Sequence, residues 1–272
     1  MLTIGWSILR AALSRFFVDN GLFLASALAF NLLLYFVPLS LLMISLLGYT
    51  VLDSEQAVQE VLAVLKAFLP RSQEALAENL ATVVADRGLL GFVGFISFLL
   101  FSTFLFGSIR TTLNRIFQVK EPRTFVRGIG IDVLMMGLSV LLLLLVAGTT
   151  WFLTVAEAIA HRYPSWSSLT EPTLIGLGKM IGVAVTILLF YTLYGFSPAA
   201  TISTPALLVS SITGTILFQS AKWGFAWYVV TAQGTIELYG VLGGVLFFFI
   251  WLYYASVVFV LGAEVGIAYD RH

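Results

Sequence analysis

Uncharged apolar runs dominate the chain, and they are too long to be the one-faced or alternating stretches of a water-soluble fold. A helix needs about 20 mostly apolar residues to cross a hydrocarbon core of roughly 30 Å. Six runs reach that length, at about 21–52, 88–109, 133–156, 174–196, 205–230 and 238–263, with Lys179 interrupting the fourth and Lys222 the fifth. The pattern predicts an all-α polytopic membrane bundle of six transmembrane helices. The first run is too long for one straight crossing and contains Pro38. Proline removes a backbone hydrogen bond and crowds the carbonyl one turn back, so a kink or a break is expected there.

Two further stretches have the periodicity of helices that lie beside a membrane. Over 1–18, Trp6, Leu9, Leu13, Phe16 and Phe17 recur at helical spacing with Arg10 and Arg15 between them, which predicts an interfacial helix too polar to be a cleavable leader. Over 53–87, Val58, Val61, Leu62, Leu65 and Leu69 share one face, and Leu76, Leu80, Val83 and Val84 another, with Pro70 between them. These read as two short external amphipathic helices. Proline and glycine mark helix ends rather than a linker, so 1–272 reads as a single transmembrane domain whose first partners are membrane lipids.

Composition narrows the function classes. The chain is 60% hydrophobic and 10% charged, where soluble domains carry about 25% charged residues. Fourteen Lys and Arg balance fourteen Asp and Glu, which leaves no basic excess for a nucleic acid. With no cysteine and only His161 and His272, neither a disulfide framework, a thiolate nucleophile nor a Cys- or His-built zinc site is available, and no metal or cofactor is expected. The motifs H-E-x-x-H, G-x-S-x-G and C-x-x-C are missing, and the expectation is that the chain is not an enzyme.

The distribution of charge says more than its sum. Arg110, Arg115, Lys120, Arg123 and Arg127 join the second and third runs, and Arg10 and Arg15 precede the first; six crossings put both groups on one side. Opposite them, Lys66, Arg71 and Arg87 are outnumbered by Asp53, Glu55, Glu60, Glu74, Glu78 and Asp86. Lys and Arg in short loops stay cytoplasmic, so both termini are expected inside.

Ionisable groups at membrane depth cost a few kcal/mol each and are functional candidates for that reason. Glu157, Lys179, Lys222 and Glu237 fall near the outer ends of the third to sixth spans, whereas Asp132 and Glu264 fall at inner ends. The first four, with Gln219 one turn before Lys222, are the candidate substrate-binding set of an outward-facing polar vestibule. Against this stands snorkelling of the long side chains to nearby headgroups, which Trp223, Trp227 and Tyr228 beside Lys222 suit. Asn31 lies inside the first run, placed to bond another helix or a carbonyl freed by Pro38. Gly178 with Gly182, Gly240 with Gly244, and Gly262 with Gly266 have the small-xxx-small spacing that lets helices approach closely in lipid. Two of these pairs fall in the last span, which makes it the expected central packing helix.

The segment Ala27-Leu-Ala-Phe-Asn-Leu-Leu-Leu-Tyr-Phe-Val-Pro-Leu39 resembles the proline-containing first span of the YihY/BrkB family of bacterial inner-membrane proteins. Leu113-Asn-Arg-Ile-Phe-Gln-Val119 is similar to that family's basic second loop, and Leu238-Tyr-Gly-Val-Leu-Gly-Gly244, Trp251-Leu-Tyr253 and Leu261-Gly-Ala-Glu264 to its last span. The resemblance covers nearly the full length in order. It implies six spans, cytoplasmic termini and an inner-membrane location, and marks Pro38, Asn114, Arg115, Tyr239, Gly240 and Glu264 as motif positions without assigning them chemistry. Members are described as virulence or serum-resistance factors. Some carry an old ribonuclease label, which this composition contradicts. Two functions then compete: a transporter or amphiphile-handling protein built on the outer charged set, and a non-transporting envelope scaffold or homo-oligomer built on the glycine pairs.

Overall fold

The computed structural model describes residues 2–50, 87–121, 123–124, 126–142, 164–200, 202–231 and 241–272. Among these, seven helices follow one another: α1 Leu2–Val18, α2 Gly21–Thr50, α3 Arg87–Ile116, α4 126–142, α5 Pro164–Phe196, α6 Thr204–Thr231 and α7 Val241–Asp270. No strand occurs among the described residues. Four helices are long and apolar enough to cross a membrane, over Gly21–Ser40, Phe92–Ile116, Gly176–Phe196 and Gly243–Asp270. The fifth expected span is α6, which has the length, but Ser210, Ser211, Thr213, Thr215, Gln219 and Lys222 keep its interior polar. Most of the third expected span, and the external pair over 53–87 apart from Arg87, lie outside the described residues.

Helix boundaries follow local chemistry. Pro38 does not break α2, which runs unbroken across it; membrane helices tolerate proline when nearby groups satisfy the backbone. Among the described residues Asn31 bonds neither another helix nor a carbonyl freed by the proline: its amide donates to the Ala27 carbonyl at 2.9 Å, one turn back in its own helix. The α1–α2 turn is closed by Asn20 at φ 57°, a left-handed conformation that asparagine adopts more readily than most residues. Ser203 caps α6, its hydroxyl accepting the Ala206 amide at 3.4 Å.

The chain divides into two compact units. Unit 1 comprises Met1–Gly21, Ile109–Gln219 and Val258–His272; unit 2 comprises Leu22–Ser108 and Ser220–Val257. Within unit 2, aromatic pairs join the helices: Tyr35 of α2 with Phe98 of α3 at 5.4 Å, Phe36 of α2 with Phe248 of α7 at 4.6 Å, and Phe225 and Tyr228 of α6 with Trp251 and Phe247 of α7 at 5.1 Å each. Offset and edge-on ring contacts of this kind contribute beyond their buried area. Many other large apolar side chains, including Phe92, Phe95, Phe104 and Leu246, are exposed, as expected of helices that face lipid.

Within unit 1 the second half of α7 is the helix around which the others pack. A Cβ on Gly262 would stand 2.6 Å from the Tyr194 hydroxyl and 3.0 Å from the Gly214 Cα; one on Gly266 would overlap Ser210. Ala206, Ser210 and Gly214, four apart on α6, thus face Gly262 and Gly266 on α7 at backbone distance, the close approach expected of the last span's small residues. Tyr194 fills the space they leave. Its ring, fully buried, lies 4.9 Å from that of Phe259, and its hydroxyl donates to the Phe259 carbonyl at 2.8 Å. By contrast, a Cβ on Gly182 meets nothing within 4 Å.

Replacing Gly262 by Leu forces backbone apart and is expected to lower stability by about 1–3 kcal/mol, read as an earlier thermal transition of tryptophan fluorescence in detergent. Gly182→Leu is expected to leave that transition in place.

Candidate functional site

The sequence-derived outer set is only partly described. Glu157 and Glu237 lie outside the described residues, as do Tyr239 and Gly240, and so does the side chain of Lys179. Gln219 is half-buried and Lys222 exposed, one turn apart on α6, with Trp223 and Trp227 exposed beside them at 78% and 71%. Gly244 is half-buried on α7 and Arg115 exposed on α3.

Asp132 and Glu264, in contrast, are both described, and each forms an ion pair within unit 1. α1 runs along the end of α7, with Ile8 and Ala12 packed against Val265 and Ala268 and Val209 of α6 beside them. Ile8, Ala12, Arg15 and Asp19 recur every three or four residues and so occupy one side of that helix. This register delivers Arg15 to Glu264. The Arg15 Nε donates to the Glu264 Oε2 at 3.1 Å, and its Nη2 donates to the Ile116 carbonyl at the end of α3, 3.2 Å away, while standing 3.7 Å from Asp19. Glu264 is 0% exposed. Among the described residues its second oxygen, Oε1, has no hydrogen-bond partner, and Asp19 shares Arg15 with it.

A second ion pair crosses from α3 to α4. Arg110 donates Nε and Nη2 to the two oxygens of Asp132 at 3.1 and 3.0 Å, a two-point contact with Asp132 almost sealed from solvent. Gly128 makes the room, since a Cβ there would stand 2.5 Å from the guanidinium. Arg123 lies close to this pair; burial first, then the neighbouring Arg110, lower its pKa, and Asp132 acts in the opposite sense. Arg123 donates to the carbonyls of Phe196 and Ser197 at 3.1 and 3.0 Å, closing the end of α5. The Asn114 side chain accepts the Ala199 amide at 2.8 Å and holds the start of the 197–203 loop against α3. The chain ends join the same unit: Ser7 pairs with His272 at 3.0 Å, Arg271 donates to Gln118 at 2.8 Å, and Ser203 bonds Asp270.

The motif positions Asn114 and Glu264 therefore have concrete work, and so do Asp132 and Arg15. What the sequence did not reveal was the pairing. The available signal was sign: the two acids at inner ends, Asp132 and Glu264, sit where the chain concentrates its arginines. Tyr194 left only the general cue that a tyrosine within an apolar run needs a partner for its hydroxyl. Among the described residues no group of three or more His, Cys, Asp or Glu is placed to hold a metal ion.

The family model described as virulence factor BrkB matches residues 12–272. The chain belongs to the BrkB family. Its BrkB relatives include a UPF0761 membrane protein of Aliivibrio fischeri, 25% identical over 264 residues that cover 97% of this chain and 83% of that protein. Another, from Legionella pneumophila, is 27% identical over 97% of this chain and 62% of its own length. A third, from Prosthecochloris aestuarii, is 29% identical over 90% of this chain, which spans 57% of that longer protein. No solved structure matches. The BrkB assignment agrees with the family resemblance read from the first span, the basic loop and the last span.

Asp132→Asn leaves Arg110 without its counter-charge and is expected to cost about 3 kcal/mol, while Asn114→Ala strands one loop amide at about 1–3 kcal/mol. Thermal unfolding in one detergent ranks the two; an Asp132→Asn protein as stable as wild type contradicts the pairing.

Proposed function

We propose that the chain is a bacterial inner-membrane transporter of an anionic amphiphile, with both termini in the cytoplasm and no catalytic step of its own. The observation that carries this reading is Glu264, a wholly buried carboxylate in a predominantly apolar helix, with one oxygen left unmatched among the described residues. Keeping such a group at membrane depth costs several kcal/mol. A strut would have both oxygens paired or be replaced by an apolar side chain of the same volume. A group that must change partners is left incompletely paired.

Support for the orientation comes from unit 1, where Arg15, Arg110, Arg115, Lys120 and Arg123 belong to the same compact body as both chain ends; clustered cations of this kind mark the cytoplasmic side. Support for an anionic cargo comes from the sequence, in which Lys179 and Lys222 fall within the apolar stretches of α5 and α6. Membrane lipid is the natural reservoir of such a cargo.

A scaffold reading draws on a different observation. Among the described residues nothing stands within 4 Å of a Cβ placed on Gly182 of α5, which suits the seat of a helix from a second copy. On that reading Gly182→Leu dissociates an oligomer measured by mass in detergent, and flux is absent.

Two measurements bear on the transport reading. The cysteine-free sequence allows a single thiol at Lys120→Cys; a membrane-impermeant maleimide is expected to label it in broken cells and not in intact ones. In proteoliposomes carrying a fluorescent phosphatidylglycerol, the wild-type chain is expected to move the lipid between leaflets, and Lys179→Gln with Lys222→Gln to slow it about tenfold, the equivalent of ~1.4 kcal/mol of charge recognition. Translocation no faster than in protein-free vesicles contradicts the reading.

A further inference from the structure

Where α1 meets the end of α7, the charges do not balance. Asp19 and Glu264 supply two carboxylates and Arg15 supplies one guanidinium. α3 contributes to this cluster only the Ile116 carbonyl, already taken by Arg15, and α6 contributes apolar packing through Val209. The nearby polar groups on α7 are engaged elsewhere: Asp270 with Ser203, Arg271 with Gln118 and His272 with Ser7. Arg10 and Arg115 are exposed. With every group ionised, the cluster therefore carries, among the described residues, one uncompensated negative charge beside apolar side chains.

The unmatched Oε1 of Glu264 shows where that imbalance lies. Two ionised carboxylates repel and offer each other no donor, whereas one proton between them supplies the missing donor and cancels the surplus charge. A metal ion at this point needs several more oxygen ligands, and no cluster of three or more such residues is present among those described. A proton needs only the two carboxylates at hand.

We infer that Asp19 and Glu264 share one exchangeable proton, which makes the junction of α1 and α7 a proton-binding site with Arg15 as its fixed counter-charge. The two acids have unequal access to water: the Glu264 side chain is sealed, and that of Asp19 is 17% exposed in the α1–α2 turn. Asp19 is thus the entry point and Glu264 the buried seat. The proton moves between carboxylate oxygens as O–H bonds break and form, with Arg15 remaining charged throughout.

This inference shares Glu264 with the transport reading but is tested by a signal that needs no flux. Infrared difference spectra of the full chain in lipid, taken near neutral pH where exposed carboxylates are ionised, are expected to show one protonated-carboxyl stretch that shifts on deuteration. Glu264→Gln and Asp19→Asn are each expected to abolish it, because either change leaves one carboxylate facing one guanidinium. The milder Asp19→Asn change keeps the test sharp if Glu264→Gln does not fold. The inference is overturned by a wild-type spectrum without the band, by a band that survives Asp19→Asn, or by a band displaced by sodium chloride but not choline chloride at fixed pH. A band present in protein that moves no lipid upholds the proton site and removes only the transport reading.

Discussion

A carboxylate buried in an apolar helix has to be answered by something, and in this chain the answer organises the compact unit that holds both termini. Glu264 draws Arg15 to it, and Arg15 in turn holds the end of α3 through the Ile116 carbonyl. One guanidinium thereby fastens three helices that are far apart in sequence. The surrounding contacts of Ile8 and Ala12 with Val265 and Ala268 add apolar burial on adjacent turns and keep water from screening the pair. Arg110 with Asp132 repeats the arrangement between α3 and α4. In each case the acid is the sealed partner and the arginine keeps an edge toward water, as the weaker hydration of the guanidinium favours.

Close approach of backbones is the second constraint, and it too centres on α7. Small residues on α6 and α7 let the two helices touch, and Tyr194 uses the gap to reach the Phe259 carbonyl. Dispersion and one buried hydrogen bond replace the hydrophobic drive that lipid does not supply between helices. On α1, Trp6 and Phe17 are exposed at 72% and 63%.

Hydrophobic run length made the long helices readable because it depends on nothing but local composition. The helical course of α1 was readable from its period, and the Gly262–Gly266 pair from its spacing. The uninterrupted course of α2 through Pro38 was not, since whether a proline breaks a membrane helix depends on what satisfies the freed backbone. Asn31 illustrates the same limit: its amide turned to its own helix, a choice that depends on neighbours. The length of α6 was readable, but its apolar run is broken by hydroxyls: Ser211 donates to the Leu207 carbonyl and Thr215 to the Ser211 carbonyl, while Ser210 has no partner among the described residues. Least legible were the ion pairs, since Arg15 and Glu264 are 249 residues apart and nothing local to either names the other.

BrkB family membership gives the fold its relatives without giving it a chemistry, so the weight of the account rests on whether Arg15 and Glu264 are energetically coupled. A double-mutant cycle of Arg15→Gln and Glu264→Gln, followed by thermal unfolding in lipid nanodiscs, measures that coupling directly. The account predicts that the double variant loses less stability than the sum of the two single losses, by a coupling energy of about 1.5 kcal/mol or more. Strictly additive losses would contradict it.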